Sequence, residues 1–227
     1  MSKKIENILW YLSVISCVAV LVYCGIYYYN YVKDEEAVAK ILSESGESVD
    51  NTKLEKSRYS DVHLRVDETL IDYDIMQGED NEYYLWHTAD GSYNKAGWLF
   101  YDYRVKADSK NKIIYGHNRV TGIMFGSLSY LTSFSYYDKY GRDVIHLWQG
   151  NEESTYRVFS VYVTSTDFDY LQCDFSDSSE FIKYIEKIQE KNSLEVLNNE
   201  VISEDSEIIT LSTCAGTNRL VVHGVKI

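Results

Sequence analysis

Two side chains near the carboxyl end have the types and spacing of a reactive pair. Residues 208–214 have the pattern of a buried strand that ends on Cys214, and Arg219 follows five residues later at the head of a returning strand. If residues 215–218 form a four-residue hairpin loop, Cys214 and Arg219 face each other with Cβ atoms about 5 Å apart. A nearby cation favours a thiolate, and a guanidinium stabilises an oxyanion. The spacing predicts a cysteine nucleophile.

A cysteine nucleophile needs a partner that carries protons, and the chain has five histidines. His117 follows a predicted strand, on a loop opened by Gly116, and catalytic groups collect on such loops. His223 is the alternative because it shares a face of the last strand with Arg219, although we favour a hydrogen-bonded structural histidine there. The other three have no catalytic context and are predicted to be structural or on the surface: His63, His87 and His146.

Composition and charge limit the kinds of molecule that this protein is expected to bind. The 227 residues, 45% hydrophobic, fit one globular domain plus an appendage. The formal charge of -13 argues against a nucleic-acid partner. Cys173 and Cys214 are the cysteines outside the apolar amino-terminal stretch, and they form either one disulfide or two independent thiols, which we favour. No cysteine spacing indicates zinc, so we expect no metal and no cofactor, with calcium on loop carboxylates left open.

The amino-terminal stretch predicts a membrane anchor. Residues 7–32 contain no charged residue, and about 20 apolar residues suffice to cross a bilayer as a helix. Lys3 and Lys4 precede this run, which favours a cytoplasmic amino terminus and an extracellular remainder. A cleaved signal peptide is the alternative, but the run is long and no A-x-A-like site follows it. We therefore predict a single-pass anchor over residues 1–32, then a juxtamembrane helix and linker, or a flexible stalk, over residues 33–61.

Residues 62–227 have the pattern of a mainly β domain. Short apolar–polar alternations separated by turn residues predict a barrel or a sandwich. One helix interrupts them: Asp177 is its expected cap, Glu180 follows three residues on, and the helix should end near Lys191 on the outside of the sheet. Strands are expected at residues 70–76, 98–103, 112–115, 144–148 and 156–165.

Three separated motifs together resemble the sortase family, most closely its class B. They are the TLSTC at residues 210–214, the arginine that follows, and the YGHN at residues 115–118. The resemblance covers about residues 62–227 in the same order. It also includes residues 71–73 and 77–78, residues 80–85, residues 97–104, Met124-Phe125 and His223-Gly224. It implies an eight-stranded β-barrel with peripheral helices and an amino-terminal transmembrane helix.

The resemblance also implies a function. A sortase is a cysteine transpeptidase anchored at a Gram-positive cell surface. Cys214 would attack the threonine carbonyl of a carboxy-terminal sorting motif and form a thioacyl enzyme. His117 would protonate the leaving amine and deprotonate the incoming one, and Arg219 would hold the carbonyl and its oxyanion. The acceptor would be an amine of the peptidoglycan cross-bridge or its lipid-linked precursor. The resemblance places five residues in the substrate groove: Asn81, Leu85, Thr166, Tyr170 and Ser212.

The sequence departs from the class B pattern beside the nucleophile. Only four residues separate Cys214 from Arg219, Ala215 stands where an acidic or polar residue is frequent, and Tyr73 is followed by Asp74 in place of proline. Three other functions stay open: a pilin polymerase that uses a lysine amine, a non-catalytic membrane-tethered peptide-binding module, and an unrelated cysteine peptidase. Residues 34–62 hold no aspartate-aromatic lid motif, so attachment to the cell wall is favoured over polymerisation.

Overall fold

The computed structural model describes residues 3–45, 60–198 and 200–227. The chain divides into two compact units, Met1–Lys40 and Ile41–Ile227. Helix α1 (Lys3–Ser45) runs without a break through the region where a separate juxtamembrane helix was expected. Its stretch Asn7–Lys40 is long and apolar enough to cross a membrane. The linker predicted to follow lies largely outside the described residues.

The second unit is built on one mainly antiparallel sheet of nine strands. The strand order is β2-β1-β6-β7-β9-β8-β5-β4-β3. In chain order the strands are β1 (Val62–Val66), β2 (Asp72–Asp74), β3 (Met76–Gln77), β4 (Phe100–Tyr101), β5 (Asn111–Tyr115), β6 (Ile145–Gln149), β7 (Glu152–Thr164), β8 (Ile208–Ala215) and β9 (Asn218–Lys226).

The sheet curves into a nearly closed barrel, and the closure explains a ninth strand where eight were expected. The predicted strand 70–76 is divided at Ile75 into β2 and β3, which lie at opposite ends of the strand order. The amide of Ile75 donates to the Val62 carbonyl at 2.8 Å, whereas that of Met76 donates to the Leu99 carbonyl at 3.1 Å. One continuous segment therefore pairs with both edges, and counting it once restores eight strands.

Helix α3 (Ser178–Glu190) covers the outside of the sheet, as its sequence predicts. The Asp177 carboxylate accepts the amide of Glu180 at 2.9 Å, which satisfies one of the unpaired amides of the first turn. The helix buries one face against β7, β8 and β9, and that face consists of Phe181, Tyr184, Ile185 and Ile188. The amphipathic spacing thus produces the expected packing.

A second short helix, α2 (Phe134–Tyr140), was not expected from the sequence. It follows a 3-10 turn at Gly126–Thr132, and it ends at Tyr140, where the capping residue Gly141 has a φ of 79°. Tyr136 and Tyr137 are its buried residues. Because both are tyrosines, which favour strands, the segment gave no clear helical signal.

Candidate active site

The β8–β9 hairpin places Cys214 opposite Arg219, as the sequence predicts. The expected four-residue loop is wrong, because Ala215 pairs with Asn218 and only two residues form the turn. Gly216 has a φ of 64°, whereas the φ of the next residue is not positive, which is the pattern of a type II′ turn. The two-residue turn tightens the hairpin directly beside the reactive pair.

Both side chains of the pair are available to a substrate. Cys214 is an exposed free thiol, and Cys173 is a separate buried thiol, so the two form no disulfide. The Arg219 guanidinium is half-buried, and its Nη1 donates to the Asn218 carbonyl at 3.1 Å. No other hydrogen bond of this guanidinium is recorded within the described part of the chain. It is therefore oriented but retains donors for a ligand.

The parallel pairing of β5 with β8 brings His117 to the nucleophile. Tyr115 pairs with Ser212, so two further residues along each strand place His117 level with Cys214. The Thr213 hydroxyl donates to the Gly116 carbonyl at 2.7 Å, which extends the connection past the end of β5. Since β5 ends at Tyr115, this register places the backbone of His117 beside the end of β8 that carries Cys214. The sequence could not reveal this register.

One ring nitrogen of His117 is hydrogen-bonded to the backbone, and the other is available to transfer a proton. Its Nε2 lies 2.9 Å from the Leu85 carbonyl, which can only accept, so Nε2 carries the proton in the neutral ring. Nδ1 is then the basic nitrogen. The Trp86 ring meets the imidazole edge-on with centroids 6.3 Å apart, and a Cβ on Gly97 would lie 3.0 Å from the imidazole. The ring is therefore held in one orientation.

Asn118 is a site residue that the sequence reasoning did not single out. Its Nδ2 donates to the Cys214 carbonyl at 2.7 Å and ties the loop after β5 to the end of β8. The signal was present, since Asn118 is the last residue of the YGHN motif. What the sequence lacked was the distance between two segments that lie almost a hundred residues apart.

Three predicted groove residues lie on the Arg219 side of the site. The hydroxyls of Tyr170 and Ser212 are 2.8 Å apart, and both residues are buried. Burial raises the pKa of Tyr170, and the hydrogen bond from Ser212 and the charge of Arg219 oppose this rise. Thr166 is exposed in the turn after β7, whose last residue, Thr164, pairs with Arg219. These positions suit a groove beside the cysteine.

The other two predicted groove residues lie on the His117 side. Leu85 contributes the carbonyl that holds the imidazole. The Asn81 amide donates to the Asp102 carboxylate at 3.0 Å and accepts from the Tyr103 amide at 3.0 Å. Asp102 is fully buried and bound twice by Arg104. The amide of Asn81 therefore already supports a buried ionic cluster.

His223 is a structural histidine. Its Nε2 lies 2.8 Å from the Tyr162 hydroxyl and its Nδ1 lies 2.9 Å from the Thr210 hydroxyl, in a fully buried position under α3. Burial lowers the pKa of His223 to about 3. It is neutral at physiological pH and has no access to a substrate, which rules out the alternative proton carrier.

The three remaining histidines lie outside the site, as predicted. His63 bridges Asp72 and Asp74, and His146 bridges Asp67 and Glu153. The His87 ring stacks on Tyr83 at 4.1 Å. Among residues 3–45, 60–198 and 200–227, no group of three His, Cys, Asp or Glu side chains is placed to hold a metal ion.

This geometry can be compared with known proteins. The family model of the sortase domain matches residues 64–227. The chain belongs to the sortase family. Sortases are cysteine transpeptidases, and the match runs from within β1 to the end of the chain, so it includes His117, Cys214 and Arg219.

The relatives of this sortase include class B enzymes. It is 36% identical to sortase B of Listeria monocytogenes over 156 residues, which are 66% of this chain and 61% of the relative. A Bacillus anthracis structure described as similar to sortase B has a TM-score of 0.67 at 36% identity, covering 73% of this chain and 76% of that one. A Staphylococcus aureus sortase B–substrate complex has a TM-score of 0.68 at 25% identity, covering 73% and 78%.

Proposed function

We propose that this sortase is a cell-surface transpeptidase that joins secreted proteins to an amine of the cell wall. It would cleave a carboxy-terminal sorting motif after threonine, form a thioacyl intermediate on Cys214 and pass the protein to an amine of peptidoglycan or its precursor. The observation that supports this proposal is the register of three adjacent strands, in which Cys214 pairs with Arg219 and His117 follows the end of β5 beside β8.

The acylation step uses the Arg219 side of the site. The Cys214 thiolate, formed when the thiol passes its proton to Nδ1 of His117, attacks the threonine carbonyl, and the developing oxyanion receives hydrogen bonds from the Arg219 guanidinium. Because the guanidinium is anchored on the Asn218 carbonyl and stays charged, it needs little reorganisation. Tyr170, Ser212 and Thr166 would line the groove for the sorting peptide. His117 then gives the Nδ1 proton that it received from Cys214 to the leaving amine as the carbon–nitrogen bond of the peptide breaks.

The second step uses the His117 side. Once Nδ1 has lost its proton, it accepts one from the incoming amine as that amine attacks the thioester. Nε2 stays hydrogen-bonded to the Leu85 carbonyl throughout the reaction. Only Nδ1 therefore accepts and donates the transferred proton. Cys214 leaves as a thiolate, which regenerates the free enzyme. Leu85 and Asn81 remain proposed contacts of the substrate on this side.

The proposed setting is the outer face of the cell membrane. Helix α1 supports a single-pass anchor, and Lys3 and Lys4 ahead of its apolar stretch support a cytoplasmic amino terminus. The catalytic domain would then be extracellular, where sorting signals and wall precursors are found. Its negative charge suits small cationic amines better than anionic partners.

The deciding experiment assays the full chain in detergent micelles with quenched sorting peptides. Product should depend on an added amine, a thioacyl adduct should be trapped on Cys214 by mass spectrometry, and Cys214→Ala should abolish both. Cleavage that persists in Cys214→Ala would refute the mechanism, and cleavage without amine dependence would indicate a peptidase. Supplying a protein lysine and a wall amine in parallel separates pilin polymerisation from attachment to the wall.

A further inference from the structure

Asp102 is a buried carboxylate that contacts residues of the site, and the proposed reaction gives it no role. Its side chain is fully buried, and it lies in residues 97–104, a stretch that belongs to the family resemblance. An ionised carboxylate is costly to bury unless hydrogen bonds and an opposite charge compensate for the lost water. The partners of Asp102 therefore indicate which segments this charge holds together.

The carboxylate accepts five hydrogen bonds from three residues. Arg104 supplies three of them, from its backbone amide and Nε to Oδ1 at 2.9 Å each and from Nη2 to Oδ2 at 2.8 Å. The Asn81 amide and the Tyr115 hydroxyl donate to Oδ2 at 3.0 and 2.8 Å. Burial acts to raise the pKa of the Asp102 carboxyl, but hydrogen bonds from Arg104 and Tyr115 outweigh it and lower the pKa to about 2. The group is therefore an anion at every physiological pH.

One of these donors lies in the loop that orients the proton carrier. Both the oxygen and the nitrogen of the Asn81 side-chain amide are hydrogen-bonded, so this residue is fixed. The 3-10 turn Tyr83–Leu85 begins two residues later, and the Leu85 amide donates to the Glu82 carbonyl at 3.1 Å. This short hydrogen-bonded turn links the position of Asn81 to that of the Leu85 carbonyl, which accepts from Nε2 of His117.

A second donor lies on the strand that leads to the proton carrier. Tyr115 is the last residue of β5, and its backbone pairs with Phe100 in β4 and with Ser212 in β8. Since His117 follows two residues later, the Tyr115 hydroxyl ties the same carboxylate to the backbone that carries the imidazole. Asp102 therefore holds both the strand that leads to the ring and the loop whose carbonyl the ring contacts.

The carboxylate is itself anchored to a segment on the other side of the groove. Nη2 of Arg104 also donates to the Leu171 carbonyl at 3.0 Å. The preceding residue, Tyr170, is hydrogen-bonded to Ser212 in β8. The guanidinium therefore joins the carboxylate to the segment that carries Tyr170, which fixes Asp102 relative to both sides of the site.

We infer that Asp102 is a positioning residue for His117. Its buried charge holds the Leu85 carbonyl where it accepts the Nε2 proton, which keeps Nδ1 as the nitrogen that transfers a proton. The effect of Asp102 on the reaction rate rests on the proposed transpeptidation, whereas its effect on the tautomer of His117 needs no substrate. A neutral amide in its place offers one acceptor oxygen instead of two, so it cannot satisfy all five donors.

The test compares Asp102→Asn and Tyr115→Phe with the wild type, using the full chain in detergent micelles. Nitrogen-15 spectra of the histidine-labelled chain at alkaline pH should show His117 as a single Nε2–H tautomer in the wild type, its signal being identified by its loss in His117→Ala. Both variants should show a mixture of tautomers. At saturating sorting peptide, thioacyl formation should slow about a hundredfold in Asp102→Asn, because the imidazole is misplaced. It should slow about tenfold in Tyr115→Phe, which removes one hydrogen bond.

Two matched control variants make the same chemical changes away from the site. Asp74→Asn neutralises another buried carboxylate, which lies 3.0 Å from Nδ1 of His63. Tyr137→Phe removes a buried hydroxyl that donates to the Leu131 carbonyl at 2.8 Å. Both controls should lose stability while keeping the single tautomer of the proton carrier and the wild-type rate of thioacyl formation.

Several results would overturn the inference. A folded Asp102→Asn that keeps either the single tautomer or the wild-type rate would do so, as would an equal loss of rate in Asp74→Asn. If Asp102→Asn does not fold, Tyr115→Phe decides by the same two criteria, against Tyr137→Phe as its control. A wild-type chain that forms no thioacyl on Cys214 refutes the proposed function itself, and the tautomer measurement then still tests the positioning role.

Discussion

At the scale of residues, the close approach of Cys214 and Arg219 follows from the register of one hairpin. The turn is closed by Ala215 and Asn218, and the next pair inward is a non-hydrogen-bonded pair, in which Cα atoms lie about 4.5 Å apart. The expected four-residue loop and the observed two-residue turn share this register. The prediction of the pair therefore held although the prediction of the loop was wrong.

Arg219→Lys tests whether charge or geometry matters at this position. Lysine keeps the positive charge but loses the planar set of donors that can bind a carbonyl oxygen and the Asn218 carbonyl together. Loss of an oxyanion donor costs about a hundredfold or more, so kcat/KM for thioacyl formation should fall by about that factor. Single-turnover release of the leaving peptide measures it.

The control for this variant is its stability. The Asn218 carbonyl is the one hydrogen-bond partner recorded for the Arg219 side chain in the described regions, so the denaturant midpoint of Arg219→Lys should equal that of the wild type. Full activity in Arg219→Lys would mean that the charge alone is sufficient. A large fall in stability would instead mean that the arginine supports the hairpin.

At the scale of elements, two hairpins have a two-residue turn that begins with a glycine of positive φ. Gly216 joins β8 to β9, and Gly150 joins β6 to β7, with φ angles of 64° and 62°. A Cβ at either position would meet nothing within 4 Å. Substitution at these sites is therefore a test of backbone conformation without a steric clash.

Gly216→Ala should weaken the hairpin that aligns the reactive pair. A left-handed conformation costs a non-glycine residue about 1–2 kcal/mol, so the free energy of unfolding should fall by that amount. Relaxation of the turn would displace Arg219 from Cys214, and kcat/KM should fall about tenfold or more. Chemical denaturation and single-turnover assays measure the two effects.

Gly150→Ala is the matched control, since it places the same strain in a turn of the same length. It should lower stability to a similar extent and leave kcat/KM unchanged, because its hairpin carries no proposed site residue. Equal losses of activity in both variants would show that general destabilisation, and not the geometry of the pair, explains the effect.

The elements that the sequence predicted are those specified by local patterns. The cap at Asp177 and the apolar spacing of α3 are local signals, and both held. The division of a strand at Ile75 was not predictable, because it depends on which edges the closing barrel offers. Likewise, Asn118 contacts the Cys214 carbonyl and Trp86 contacts the His117 ring across long sequence separations. Such contacts cannot be predicted from the local pattern of a single sequence. The Cys214–Arg219 pair was predictable because it lies within one hairpin, whereas the position of His117 beside that hairpin was not.

At the scale of the whole molecule, two histidines couple protonation to folding in opposite directions. His223 is buried with a pKa lowered to about 3, so the unfolded chain binds its proton first, and stability falls as the pH drops below about 6.5. His63 lies where β1 meets β2, near the closure of the barrel. Burial acts to lower its pKa, but hydrogen bonds and charges from Asp72 and Asp74 outweigh this and raise it to about 9.

The pH dependence above neutrality should therefore come largely from His63. Its folded pKa exceeds the unfolded value of 6.5, so its contribution is complete below pH 6.5 and is lost as the pH rises through 9. We expect the free energy of unfolding to fall by about 2 kcal/mol across this window, less than the full pKa shift implies, because the Asp72 side chain is 60% exposed to water.

Urea midpoints measured from pH 6 to pH 10 should fall in the wild type. His63→Gln should remove this decline while leaving the fall below pH 6.5, which belongs to His223. A decline that persists unchanged in His63→Gln would show that other groups hold the barrel closed at alkaline pH.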